Sequence, residues 1–110
     1  MKKYDIVMVD FGETFGSEQG GFRPAIVVQN DMGNRYAPTT IVVPATTRKK
    51  AKLPTHVCAQ LNGNDGRASL LLCEQVRVID KKRVGKVVGQ LDKSKWEELD
   101  RALLVSLGMV

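Results

Sequence analysis

The 110-residue chain is poor in metal ligands and imidazole, holding two cysteines and a single histidine. A structural zinc site takes four Cys or His ligands, and Cys58, Cys73 and His56 are too few. Acid–base chemistry by a pair of histidines is excluded on the same count. Aromatic residues make up only 5% of the chain, too few for a broad base-stacking platform. No apolar run approaches the roughly 18 residues of a membrane span. Behind Met1-Lys2-Lys3, Asp5 and Asp10 interrupt the apolar segment that a secretory signal would need, so a cytoplasmic protein with reduced thiols is expected. The length suits one domain over residues 1–110 and leaves no room for a cofactor domain with a separate substrate domain. With 43% hydrophobic and 26% charged residues, the composition is that of a folded domain.

What is there in excess is positive charge, and it is localised. The net charge is +5, yet residues 1–47 and 87–110 each sum to −1, so residues 48–86 carry +7. A concentrated basic field attracts polyanions such as nucleic acid or an acidic protein segment, although a solvated lysine-rich loop has the same composition.

The chain reads mostly as strands. Tyr4 to Phe11 is rich in β-formers and apolar on both faces. Residues Gly12 to Gly21 contain four glycines in ten positions and form a long loop of the kind that carries function. Ala25 to Val28 is a buried strand, Asp31-Met32-Gly33-Asn34 a turn, and Thr39 to Thr47 a third strand that Pro44 assigns to an edge or a bulge. Arg48-Lys49-Lys50-Ala51-Lys52 is a basic loop. Thr55 to Leu61 alternates, placing His56, Cys58 and Gln60 on an outward face. That spacing permits a Cys–His nucleophile pair, with a surface histidine beside an unreactive thiol as the simpler reading. Ser69 to Asp80 is the longest strand candidate. It sets Glu74 among apolar residues, where a carboxylate needs either a bulge to re-aim it or a cation to meet it, with Arg23 as one such cation. Lys86 to Leu91 is a short strand. Ser94 and Glu97 form a capping box for a final helix with the apolar stripe Trp96, Leu99, Ala102, Leu103 and Leu107, stopped by Gly108. About six strands followed by one helix suggest a small, strongly curved antiparallel sheet or barrel with the helix packed on it.

Several of these segments together resemble one family. Gly16-Ser17-Glu18-Gln19-Gly20-Gly21-Phe22-Arg23-Pro24-Ala25 is similar to the glycine-loop motif of the MazF/PemK toxins of type II toxin–antitoxin systems. Gln29 to Asn34, Pro38-Thr39-Thr40, Lys52 to Val57, Cys73 to Asp80 and the Ser106-Leu107-Gly108 ending resemble that family in the same order, covering about residues 4–109. Two departures are visible. Tyr4 stands where the family usually has a glycine before the first strand, and the insert around Asn62 to Arg67 is shortened.

The resemblance implies a mainly β fold with a C-terminal helix, an SH3-like barrel of the CcdB/PemK type. It also implies a homodimeric, metal-independent, cofactor-free endoribonuclease of the bacterial cytoplasm that cuts single-stranded RNA at a specific sequence and is inhibited by a cognate antitoxin with an acidic tail. In such a reaction the ribose 2′-OH attacks its own phosphodiester, leaving a 2′,3′-cyclic phosphate and a 5′-OH. By similarity Arg23 and Thr46 carry the catalysis. A guanidinium matches two phosphate oxygens, and charge stabilisation is the term such a site depends on most. RNA contacts fall to Phe15, Ser17, Glu18 and Gln19 on the loop, and to Lys52, His56, Glu74, Gln75 and Arg77, with Lys49 and Lys50 as further backbone-tracking cations. Leu104 and Val110 lie off the main helical stripe and suit a dimer contact. Two other classes share features of this sequence: a non-enzymatic gyrase-binding toxin of the same fold, and a small RNA-binding module that does not cut.

Overall fold

A computed structural model describes residues 1–48, 52–61 and 68–110. Seven strands run in chain order: β1 (Asp5–Asp10), β2 (Phe22–Val27), β3 (Thr39–Thr46), β4 (His56–Gln60), β5 (Ala68–Leu72), β6 (Arg77–Asp80) and β7 (Val84–Gln90). Helix α1 (Asp31–Tyr36) links β2 to β3, and α2 (Trp96–Ser106) closes the chain. All the pairings are antiparallel, in the spatial order β4-β5-β3-β2-β1-β7, with β6 also on β3. The expected mainly β architecture with a C-terminal helix is what the chain forms.

β3 organises the sheet. One edge pairs with β2 through Val42, Val43 and Pro44, while the other pairs with β6 through Thr39 to Val42 and with β5 through Ala45 and Thr46. The edge position expected from Pro44 is therefore corrected, because β3 is an inner strand. Pro44 falls in the gap where the partner changes from β6 to β5, so on that side no ladder bond is asked of it. The single strand expected over Ser69 to Asp80 is corrected for a related reason. A 3-10 turn at Cys73–Gln75 breaks it into β5 and β6, which lets one stretch of chain serve both halves of β3.

The period-two apolar pattern of the central strands fills two cores. Ile6, Ile26 and Val43 point into one, together with Val57, Leu71, Leu91 and Leu99 of α2. Their neighbours Val7, Val9, Val27 and Val42 point into the other, with Phe11 and Ile79. This is why β1 reads as apolar on both faces. Each fully buried aliphatic side chain contributes about 1.5–3 kcal/mol of transfer free energy.

Other local readings shift. Asp31 to Asn34 begins α1 rather than a plain turn, because the Asn30 side chain accepts the Gly33 N–H at 2.8 Å and caps it. The Ser94 capping box is replaced by Asp92, whose carboxylate accepts the Ser94 N–H at 2.9 Å and starts a 3-10 turn ahead of α2. On α2, Leu99 and Ala102 are buried as the stripe requires, but Leu107 is exposed beyond the helix end, where Gly108 takes φ +70°.

Tyr4, just before β1, has φ +74°, a left-handed conformation costing an L-residue about 1–2 kcal/mol. Its backbone ties the sheet together: its N–H donates to Val27 O at 2.7 Å and its carbonyl accepts from Leu91 N at 2.9 Å. The side chain offsets the strain. Its ring stacks on Trp96 at 4.1 Å between centroids, and its hydroxyl donates to Asp100 at 2.8 Å.

Candidate active site

The long loop after β1 closes on itself at its base. Phe11 N–H donates to Gly21 O and Gly21 N–H to Gly12 O, both at 2.9 Å. Gly21 adopts φ +77°, and a Cβ on Gly20 would stand 2.8 Å from Gly12 O, so both positions demand glycine. Higher in the loop Gln75 acts as a clamp. Its side-chain oxygen accepts the Gln19 N–H at 2.8 Å, and its amide nitrogen donates to Ser17 O at 3.2 Å. Gln75 reaches the loop because it lies on the 3-10 turn that interrupts the sheet.

This loop presents Arg23. The half-buried side chain is fixed from one side: Nε donates to Gly20 O at 2.8 Å, Nη1 to Gln19 Oε1 at 2.6 Å and, more weakly, to Ala45 O at 3.4 Å. Nη2 is left as the edge not spent on the protein among the described residues. Burial, and secondarily the field of Arg48, hold the Arg23 pKa below its ordinary value. A guanidinium nonetheless remains charged at neutral pH. Thr46, at the end of β3, is buried, and its Oγ1 accepts the Arg48 N–H at 3.2 Å. That bond leaves the hydroxyl proton free to donate.

Two adjoining cavities meet at the arginines. One, of about 250 Å³, is lined by Phe22, Arg23, Thr46, Arg48 and Ser69 among others. The second, of about 500 Å³, is lined by Ser17, Glu18, Gln19, Arg23 and Arg48 with loop glycines. Arg23, Thr46, Ser17, Glu18 and Gln19 are thus brought together, with Gln75 behind the loop. Phe15 is highly exposed near the loop tip and lines neither cavity. Sequence reasoning passed over Arg48, hidden at the start of a lysine-rich run, and Phe22, which is 67% exposed beside Arg23.

The other candidates gather elsewhere. His56 was expected on an outward face, but it is buried, at 5% exposure. Its Nδ1 accepts the Leu53 N–H at 3.2 Å, which assigns the ring proton to Nε2, 3.0 Å from Glu74 Oε2. The reason is local: β4 begins at His56, and the broken strand carries Glu74 back over it. Of the two anticipated resolutions the first applies, since the broken strand re-aims Glu74; in place of the expected cation, such as Arg23, its partners are the His56 ring and the Thr55 hydroxyl. Burial pushes the Glu74 pKa up, and hydrogen bonds from His56, its own backbone and Thr55 outweigh this, so the carboxyl lies below its usual value. With both ring nitrogens engaged, His56 has none for Cys58, which points outward from β4. The Cys73 thiol is pushed up to about 12 by burial first and then by the charges of Glu74 and Glu98, which makes it inert as a nucleophile. Lys52 borders a separate groove with His56, Glu98 and Arg101. The Arg77 guanidinium lies 5.3 Å from the Phe11 ring centroid, outside both cavities. Lys49, Lys50 and the shortened insert at 62–67 fall outside the described residues.

A family model described as PemK-like, MazF-like toxin of type II toxin–antitoxin system matches residues 2–107. The chain belongs to the PemK/MazF toxin family. EndoA, an endoribonuclease from Bacillus subtilis (strain 168), is 44% identical over 113 aligned positions that cover 100% of this chain and 97% of EndoA. Among solved structures, MazF from Deinococcus radiodurans superposes with a TM-score of 0.84 at 24% identity, covering 99% of this chain and 97% of that one. The MazE–MazF complex from the same organism gives 0.76 at 26% identity, covering 100% and 97%. The expected PemK-type fold and enzyme class are borne out by these relationships, and the two cavities at Arg23 and Arg48 are the candidate active site of a MazF-like chain.

Proposed function

We propose that the protein is a sequence-specific, metal-independent endoribonuclease that cuts single-stranded RNA by attack of the ribose 2′-OH. The observation that carries this reading is Arg23, held by Gly20, Gln19 and Ala45 at the wall shared by two open cavities, with Thr46 among the residues lining one of them. The 2′-oxygen bonds to phosphorus, the bond from phosphorus to the 5′-oxygen breaks, and the 5′-oxygen takes a proton from solvent. A cyclic 2′,3′-phosphate and a 5′-OH remain. The Arg23 Nη2 edge and the Thr46 hydroxyl donate to the phosphate oxygens as negative charge builds on them. Because Arg23 is already oriented, little reorganisation is needed at the moment of reaction. Glu18 is the one carboxylate among the residues lining these cavities, and it takes the 2′-OH proton. Ser17 and Glu18 present polar groups to the RNA, Phe15 offers a stacking face, and the buried Gln19 acts by holding Arg23. Lys52, His56, Glu74, Gln75 and Arg77 belong to the extended RNA surface, with His56 acting through Glu74 and Gln75 through the loop.

Two partners complete the proposal. The +7 of residues 48–86 suits an antitoxin with an acidic tail, and the similar Deinococcus MazF has been solved with MazE. Leu104, Val105, Leu107, Met109 and Val110 leave the end of α2 apolar and exposed, which suits a homodimer contact in a cytoplasmic protein.

Incubation with long single-stranded RNA in EDTA tests the reading. Discrete fragments are expected from the wild type. Arg23→Ala, checked for folding by circular dichroism, is expected to lose about a hundredfold or more in rate, and Thr46→Val about tenfold or more. Absence of cutting by folded wild type across varied RNAs favours the gyrase-binding or RNA-binding alternatives.

A further inference from the structure

Arg23 alone is an incomplete anion site for a polyanionic strand. Three of its contacts already go to protein acceptors, so its Nε and Nη1 are committed and only Nη2 remains. A single-stranded RNA with its scissile phosphate at Arg23 and Thr46 must carry a neighbouring phosphate across the wall between the two cavities, and Arg48 stands on that wall, lining both.

Arg48 differs from Arg23 in each respect that matters. Its side chain is exposed and makes no ion pair with any described residue. Its backbone, by contrast, is anchored, because its N–H donates to the Thr46 hydroxyl at 3.2 Å. The guanidinium is therefore tethered at its root beside the Thr46 hydroxyl, with its head in no ion pair among the described residues. A head that is ordered only when ligand arrives contributes to binding in the ground state and the transition state alike. The preoriented Arg23 contributes to the transition state instead.

We infer that Arg48 is a second phosphate-binding residue of the active site, which holds the RNA phosphate adjoining the scissile one and places the strand across both cavities. The assignment rests on the ribonuclease reading above. It also gives the field of Arg48 on Arg23 a use: two unneutralised guanidiniums side by side are unfavourable in the free protein, and an RNA backbone relieves both.

The test uses the full chain and a short RNA containing the mapped cut site. Binding is read by fluorescence anisotropy on an oligonucleotide blocked by 2′-deoxy at the cut nucleotide, and cleavage is read on the all-ribo version. For Arg48→Gln the loss is expected in Kd and KM, about tenfold, with Arg48→Lys recovering part of it. The slope of log Kd against log salt is expected to fall by about 0.7, the share of one single-strand phosphate contact. A neutral methylphosphonate at the adjoining phosphate is expected to cost the wild type a similar factor and to cost Arg48→Gln little more. Equal Kd and salt slope for wild type and Arg48→Gln, or a loss confined to kcat, overturns the assignment while wild-type cutting leaves the ribonuclease reading standing. Wild type that neither binds nor cuts RNA overturns both.

Discussion

At the scale of single residues, the molecule divides its unusual side chains between chemistry and structure. Arg23 was singled out through the family resemblance of the glycine-loop motif that it follows, and the structure places it on the wall of both cavities. Arg48 was not, because Arg48-Lys49-Lys50-Ala51-Lys52 has the composition of any solvated basic loop, and only folding sets its first member apart. His56 misled for the opposite reason. Alternation along β4 placed it outward, but a residue at a strand start is not bound by the strand's period, and Glu74 returns over it from a distant segment. Tyr4 is the clearest structural counterpart. Replacing it with Phe removes the hydrogen bond to Asp100 while keeping the stack on Trp96, and is expected to cost about 1–2 kcal/mol in denaturant unfolding. Burial, followed by the hydrogen bond and charge of Asp100, raises the Tyr4 pKa from 10.0 to about 12. The native state therefore keeps a proton that the unfolded chain loses. The contribution is complete below pH 10 and is expected to disappear as pH rises from about 10 to about 12. Thermal melts across that range should show a steeper decline for wild type than for Tyr4→Phe.

At the scale of elements, the strands were largely readable and their interruptions were not. The β-branched and aliphatic runs identify β1, β2, β3 and β4, since both the two-sided burial of inner strands and one-sided alternation leave a pattern. The break at Cys73–Gln75 leaves none, because it is imposed by β3 needing two partners along one edge. That break is also what delivers Gln75 to the loop and Glu74 to His56, so although these residues were named as candidates, the contacts they make were not foreseen. The start of α2 shows a local competition. Ser94 and Glu97 have the spacing of a capping box, yet Asp92 two residues earlier captures the Ser94 N–H and begins a 3-10 turn. Asp92→Ala is accordingly expected to lower the midpoint of urea unfolding, and Ser94→Ala to lower it less. Equal effects in urea unfolding would restore the capping box.

At the scale of the whole molecule, charge and chemistry occupy different parts of the chain. The basic excess lies in residues 48–86, while Arg23 lies outside it. On the proposed reading the broad field would recruit polyanions, and Arg48, which lies within it, would join it to the candidate site. The proposed reaction suits a small domain, since in it the substrate supplies its own nucleophile and the protein has only to orient, neutralise and accept one proton. Among the described residues no helix is long and apolar enough to cross a membrane. The exposed apolar end of α2 is expected to be covered by a second copy, so sedimentation should report a dimer that Leu104→Glu weakens. The most direct measurement is made on one oligonucleotide carrying the mapped cut site, with and without a single 2′-deoxynucleotide at the position of cleavage. If the 2′-OH is the nucleophile, the all-ribo strand is cut in EDTA to a 2′,3′-cyclic phosphate and a 5′-OH, and the substituted strand binds but stays intact. Cutting of both strands at equal rates would contradict it.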